Sequence, residues 1–223
     1  MNYSDYLKIE IPDQLGATDD VELKNGDFVF DQLPSNCTTE WGVTQFVIID
    51  KDLTDVIKIP FRGIWESYYN DDTNADDERF VEFDNHYDII TQQIYEKAIK
   101  KNVADIFIEQ IYLGETIDGT PVYRQEYVYP CSDEKIHNTT KGSRDLVNQE
   151  YKKAIVSATK SSSYWNTFRD DWLANAVDCF GLDFIKRLFD FLAENELTDF
   201  HEGNYGWRAN GDPCIFDYAG YDG

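Results

Sequence analysis

The sequence predicts an α+β fold, with strands concentrated in its first part and helices in its second. Three features carry that expectation. Short β-branched and aromatic runs, broken by turn residues, dominate the first 130 or so positions. The segment Gly181 to Asn195 sets Ile185, Leu188, Phe189 and Leu192 at helical spacing, the strongest amphipathic pattern in the chain. Composition shifts after Pro130, where polar residues replace the apolar runs. The order of elements divides the chain into a sheet-rich lobe, 1–126, and a helical lobe, 127–223.

Taken in order, Asp27 to Phe30 reads as a short strand. Pro34 to Gly42 reads as the loop that links it to the next. Gln45 to Asp50 and Asp55 to Phe61, joined by Lys51 to Thr54, form an antiparallel pair, and Pro60 marks the end of its second strand. From about Asn85 to Asn102, Tyr87, Ile90, Ile94 and Ala98 share one helical face. Lys97, Lys100 and Lys101 suit the C-terminal end of that helix's dipole. Asp105 to Leu113 and Val122 to Tyr129 flank Asp118-Gly119, a hairpin turn. Ser132 to Ser143 reads as a loop, and Arg144 to Thr159 as a helix. Tyr164 to Val177 is a further helix, with Trp165, Phe168, Trp172 and Ala176 as its core face. After the Gly181 helix come short strands at Tyr205 to Arg208 and Pro213 to Phe216, with Asn210-Gly211 as their turn.

Of the 223 residues, 42% are hydrophobic and 15% aromatic, enough apolar surface for a folded core. No run reaches the roughly 18 apolar residues of a membrane helix, and Met1 to Glu10 lacks the basic and apolar regions of a secretory signal. Cys37, Cys131, Cys179 and Cys214 form no Cys-x-x-Cys pair, which excludes a zinc cluster or redox pair of that type. A cytoplasmic protein is expected. The formal charge of −23, from 43 acids against 20 bases, argues against binding nucleic acid or anionic membranes. The acids are densest at Asp71 to Glu78, read as a solvated surface loop. The other reading of that run is a docking surface for a basic partner, or an acidic face that mimics DNA.

The chemistry-bearing segment is Leu197-Thr198-Asp199-Phe200-His201-Glu202-Gly203-Asn204, followed by a hairpin that ends in Asp217-Tyr218-Ala219. Asp199 and Asn204 match Asp-x-x-x-x-Asn, Asp217 stands where Asp-Phe-Gly would, and Val56-Ile57-Lys58-Ile59 is similar to a Val-Ala-Ile-Lys strand. In these motifs the chain resembles the protein-kinase-like superfamily, and within it the small kinase-like proteins of bacteriophage genomes. The wording around Asp199 is closer to the small-molecule kinases. The resemblance implies a bilobal kinase-like fold with a minimal C-lobe, and a site for ATP and magnesium. It assigns Asp199 to orienting the acceptor hydroxyl, Asn204 and Asp217 to the metal, and Lys58 to the phosphates. The hinge that meets the adenine falls at Gln125 to Val128, with Gln125 and Tyr127 as contacts, and Ser35 is a phosphate donor. His201 would brace the loop, and Tyr218 would pack beneath it.

The chain departs from the family in four places. Pro34 to Gly42 holds one glycine where a glycine-rich loop is expected. Gln93 or Glu96 stands where the helix acid that pairs with Lys58 belongs. Leu197-Thr198 replaces His-Arg before Asp199. The helical platform that holds a peptide is not expected in the six residues after Asp217. Two functional readings follow. One is a phosphotransferase acting on a protein or small-molecule hydroxyl. The other is a pseudokinase that binds a partner, which in a phage would be a host protein. An acidic DNA mimic is a third, resting on net charge alone.

Overall fold

The computed structural model describes residues 3–8, 14–15, 22–23, 33, 37–41, 44–50, 55–70, 75–83, 87–132, 164 and 167–218. Among them the order is α1 (Tyr3–Tyr6), β1 (Gln14–Leu15), β2 (Glu22–Leu23), β3 (Cys37–Trp41), β4 (Gln45–Asp50), β5 (Asp55–Pro60), β6 (Gly63–Asn70) and β7 (Ala75–Glu82). Then come α2 (Tyr87–Lys100), a 3₁₀ turn (Ala104–Ile106), β8 (Gln110–Glu115), β9 (Pro121–Glu126), β10 (Tyr129–Pro130), α3 (Asp170–Phe180), α4 (Leu182–Glu194), β11 (Tyr205–Trp207) and β12 (Pro213–Ile215). The fold is mixed α+β. No described helix is long and apolar enough to cross a membrane.

The chain forms two compact units, Met1–Tyr87 with Gln110–Glu126, and Asp88–Glu109 with Tyr127–Gly223. The sequence reading grouped 1–126 together, whereas residues 88–109 pack with the second unit. The reason lies in their apolar positions: Ile94, Ala98, Val103, Ile106 and Phe107 all enter that unit's core.

In the first unit, β3-β4-β5-β9-β8 make a five-stranded antiparallel sheet. Its β-branched centre explains the pairing. Ile57 and Ile59 of β5 point to one face and pack with Phe46, Ile48, Val122 and Tyr6. Arg124 and Tyr3 both donate to Asp55 Oδ2, which ties α1 to the sheet. The β8–β9 hairpin closes as Asp118-Gly119 predicted, with Gly119 at φ 83°. There Asp118 accepts from the hydroxyls of Thr116 and Thr120. Burial raises its pKa, but the two hydroxyls outweigh that and hold the carboxyl below its ordinary range.

Two sequence expectations change here. Pro34 to Gly42 is not all loop, since Cys37–Trp41 is strand β3, paired from Cys37↔Asp50 to Trp41↔Phe46. The β3–β4 connection is therefore 42–44. The acidic run is not all loop either. Asp76, Asp77 and Glu78 lie in β7, paired with Tyr69, Tyr68 and Ser67 of β6. Charges sit on an exposed strand without cost, while Ile64, Trp65 and Phe80 supply the apolar side of this hairpin. β6 also pairs in parallel with β1, giving a second sheet, β2-β1-β6-β7. The strand expected at Asp27 to Phe30, the turn at Lys51 to Thr54, most of the loop expected at Ser132 to Ser143 and the helix expected at Arg144 to Thr159 lie outside the described residues.

The second unit is built on α2, α3, α4 and the small sheet β10-β11-β12. Ile185, Leu188, Phe189 and Leu192 of α4 are fully buried, as their spacing predicted. Tyr164 and Thr167 are helical, but the helix expected from Tyr164 to Val177 is broken where Arg169 is extended (φ −62°, ψ 144°); α3 starts anew at Asp170, and Asp170 and Asp171 occupy its first turn, where the helix dipole favours acids. The strand expected over Val122 to Tyr129 splits between β9 and β10, and the one expected from Asp105 starts at Gln110, after the 3₁₀ turn.

α2 and α4 end in the same way. Val103 N–H reaches back to Ala98 O (3.0 Å) and Asn102 N–H to Ile99 O (3.1 Å), with Asn102 at φ 56°. Leu197 N–H reaches Leu192 O (3.0 Å) and Glu196 N–H reaches Ala193 O (3.3 Å), with Glu196 at φ 55°. Both are Schellman closures, in which a left-handed residue turns the chain and an apolar pair, Leu192 with Leu197 in α4, seals the end. A side chain in that conformation is strained by about 1 kcal/mol or more. Glu196→Gly is therefore expected to stabilise the second unit by about 0.5–1 kcal/mol, after allowance for glycine's freedom in the unfolded chain. Urea unfolding followed by helical circular dichroism reads this, because α2–α4 all belong to that unit.

Candidate functional site

The Schellman turn of α4 delivers the chain into the loop that carries Asp199. Leu197 and Phe200 are 4% and 6% exposed and anchor the loop in the core. Tyr164 donates to Leu197 O (2.7 Å), and the Phe200 ring lies 5.3 Å from that of Phe168. Asp199 stands between these anchors and faces solvent.

Asn204 closes the loop. It is 6% exposed, and its Nδ2 donates to Asp199 O (2.8 Å) and Asp199 Oδ2 (3.4 Å). Its N–H donates to His201 O (2.9 Å), and Gly203 N–H donates to His201 Nδ1 (3.1 Å), so the histidine braces the turn. Asn204 O accepts from Phe216 N–H (3.0 Å) and Asp217 N–H (3.4 Å). Asn204 thus ties Asp199 on one side to Asp217 at the end of β12 on the other. Its Oδ1 accepts nothing among the described residues.

Asp217 is exposed, and Tyr218 after it is 1% exposed. The Tyr218 ring stands edge-on to Phe107 (4.9 Å), and its hydroxyl donates to Ile108 O (3.1 Å). Burial pushes its phenol far above the ordinary tyrosine range. Asp217 is therefore held at its base by a buried aromatic.

Lys58 belongs to the first unit. In β5 it pairs with Val47 of β4 and Tyr123 of β9, on the sheet face opposite Ile57 and Ile59. That face also carries Gln45, Val56, Gln125 and Gln110, since Val56 pairs with Gln125 and Gln125 with Gln110. Among the valines, isoleucine and tyrosines of this face, four polar side chains are buried: Lys58 is 7% exposed, Gln45 8%, Gln110 7% and Gln125 2%. Gln110 Nε2 and Gln45 Oε1 are buried with no hydrogen-bond partner, and Lys58 makes no hydrogen bond or ion pair among the described residues.

Of the hinge contacts expected from the sequence, Gln125 lies within the β9 ladder, whereas Tyr127 follows it, with its ring edge-on to Tyr129 (5.1 Å). Ser35 lies outside the described residues, ahead of β3. Gln93 and Glu96 are both exposed on α2. Among the described residues no group of three His, Cys, Asp or Glu side chains is placed to hold a metal. Any cation here would take Asn204 Oδ1 as well as carboxylates, a hard, all-oxygen donor set.

Arg169 escaped the sequence reading. Nothing local marks it, since its partners Cys131, Glu202 and Tyr205 are distant in the chain. Comparison with family models, with curated proteins and with solved structures gives no significant match.

Proposed function

We propose that this chain is a kinase-like phosphotransferase that moves the terminal phosphate of ATP, bound with magnesium, to a hydroxyl of a protein or small molecule. The observation that carries the reading is Lys58, a strand lysine only 7% exposed whose side chain makes no hydrogen bond or ion pair among the described residues. A lysine so largely covered favours an anion beside it, and the phosphates of a bound nucleotide would supply one. Lys58 lies on the third strand in chain order of a five-stranded sheet, where a kinase-type lysine belongs. The Asp199–Asn204–Asp217 linkage supports the same reading from the second unit.

In this reading the acceptor oxygen bonds to the terminal phosphorus as the bond to the bridging oxygen breaks. ADP leaves, and Asp199 takes the hydroxyl proton. Magnesium would supply charge neutralisation on the phosphates. Asn204 Oδ1 and the Asp217 carboxylate would hold it, and Lys58 would hold the phosphate oxygens. A pseudokinase that binds nucleotide or a partner without transfer is favoured by one observation. Among the described residues no carboxylate pairs with Lys58, whereas an ion pair of that kind positions such a lysine in active kinases.

Calorimetry of ATP with and without magnesium tests the proposal. Binding is expected to require magnesium, to vanish in Asp217→Ala, and to weaken at least about tenfold in Lys58→Met, the loss of one charge-assisted contact. A folded wild type that binds no magnesium-ATP sinks the reading.

A further inference from the structure

Three separate stretches of chain meet at Arg169. Its backbone N–H donates to the Tyr205 hydroxyl (3.1 Å). Its guanidinium grips Asp171 in a two-pronged fork, Nε to Oδ1 at 3.0 Å and Nη2 to Oδ2 at 2.6 Å. Nη1 donates to Cys131 O (2.9 Å) and stands 3.5 Å from Glu202 Oε2. The backbone runs in parallel with these contacts: Cys131 N–H donates to Tyr205 O and Ser132 N–H to Glu202 O, each at 2.9 Å. The Arg169 side chain is 22% exposed and Glu202 is 52% exposed, so their ion pair adds little to global stability.

What the pair does add is position. Glu202 sits inside the turn from His201 to Asn204, the turn whose closure sets the Asn204 amide on Asp199. Asp171 and the Cys131 carbonyl hold the guanidinium in place, so its remaining edge presents a fixed charge to the loop. We propose that Arg169 is a positioning residue for the Asp199–Asn204 loop, acting through Glu202. In its bearing on phosphoryl transfer the proposal rests on the reading above. In its bearing on loop geometry it does not.

Amide hydrogen exchange of the full chain tests it, with Glu202→Gln, which keeps shape and removes charge, beside Arg169→Lys, which keeps charge and removes the fork. Exchange at Gly203 and Asn204 is expected to quicken roughly fivefold in both variants while the amides of α3 and α4 and the unfolding midpoint stay unchanged. Unchanged exchange at Gly203 and Asn204 overturns the proposal. So does a rise spread evenly over the second unit, which would mark Arg169 as merely structural. Calorimetry of the same variants separates the two claims. If the wild type binds magnesium-ATP, both variants are expected to bind it several-fold more weakly, and equal affinity overturns the role in the site. If the wild type binds none, the phosphotransferase reading and the role in transfer fall together, and the exchange result still decides the role in the loop.

Discussion

Trp172→Ala is expected to cost about 4 kcal/mol, the largest loss of any single truncation in the second unit. Trp172 is fully buried and is the largest fully buried side chain among the described residues. Its ring stacks on Phe168 at 4.6 Å and meets Tyr205 edge-on at 5.1 Å. Its Nε1–H donates to Gly206 O at 2.8 Å. Truncation removes the dispersion contacts of both rings, opens a cavity between α3 and β11, and leaves a buried carbonyl without its donor. Trp172→Phe separates these terms. It keeps much of the stack but not the hydrogen bond, and about 2 kcal/mol is expected to be lost. Urea unfolding followed by helical circular dichroism measures both. Equal losses in the two variants would show that the Gly206 bond, and not the ring volume, holds β11 to the helices.

The same core shows which parts of the molecule were legible in the sequence. The stripe of α4 was, because four apolar residues recurring at helical spacing have no other way to be buried together. The Asp199 and Asn204 pair was legible as a spacing. The structure supplies what spacing cannot, namely that Asn204 reaches back to the Asp199 carbonyl and forward to Phe216 and Asp217, just after β12. Strand β3 was not legible. Cys37-Thr38-Thr39-Glu40-Trp41 alternates weakly, and it becomes a strand because the full length of β4 is there to pair with it. Strand β7 was hidden by its acids, which read as loop until Trp65 and Phe80 are seen to pair across the hairpin. The break ahead of α3 was not legible, because Arg169 is held extended by partners far away in the chain, a tertiary constraint that overrides local pattern. Lys58 was legible as a motif but not as a buried residue, since burial depends on what covers the sheet face.

Gly206→Ala is expected to be nearly as damaging as the loss of Trp172, for a different physical reason. A Cβ at this position would lie 1.9 Å from Tyr129 O and 2.8 Å from both Pro130 Cα and the Tyr129 carbonyl carbon. All three are backbone atoms of β10, the strand that pairs with β11 through Pro130↔Gly206. No rotamer relieves the clash, so the strands must part, and the Cys131 N–H to Tyr205 O bond beside them goes as well. About 3 kcal/mol or more is expected to be lost, at the upper end of overpacking costs. Gly119→Ala is the control. Gly119 has φ 83° but no atom within 4 Å of an added Cβ, so it is expected to cost only about 1–2 kcal/mol of backbone strain. The consequence for the site follows from connectivity. Asn204 lies two residues before Gly206 and depends on the β11–β12 pairing for its bonds to Phe216 and Asp217. If the chain binds magnesium-ATP as proposed, Gly206→Ala should therefore lose that binding at temperatures where Gly119→Ala keeps it. If Gly206→Ala kept both its stability and its binding, β10 would have to move freely away from β11, and the loop's dependence on this small sheet would be disproved.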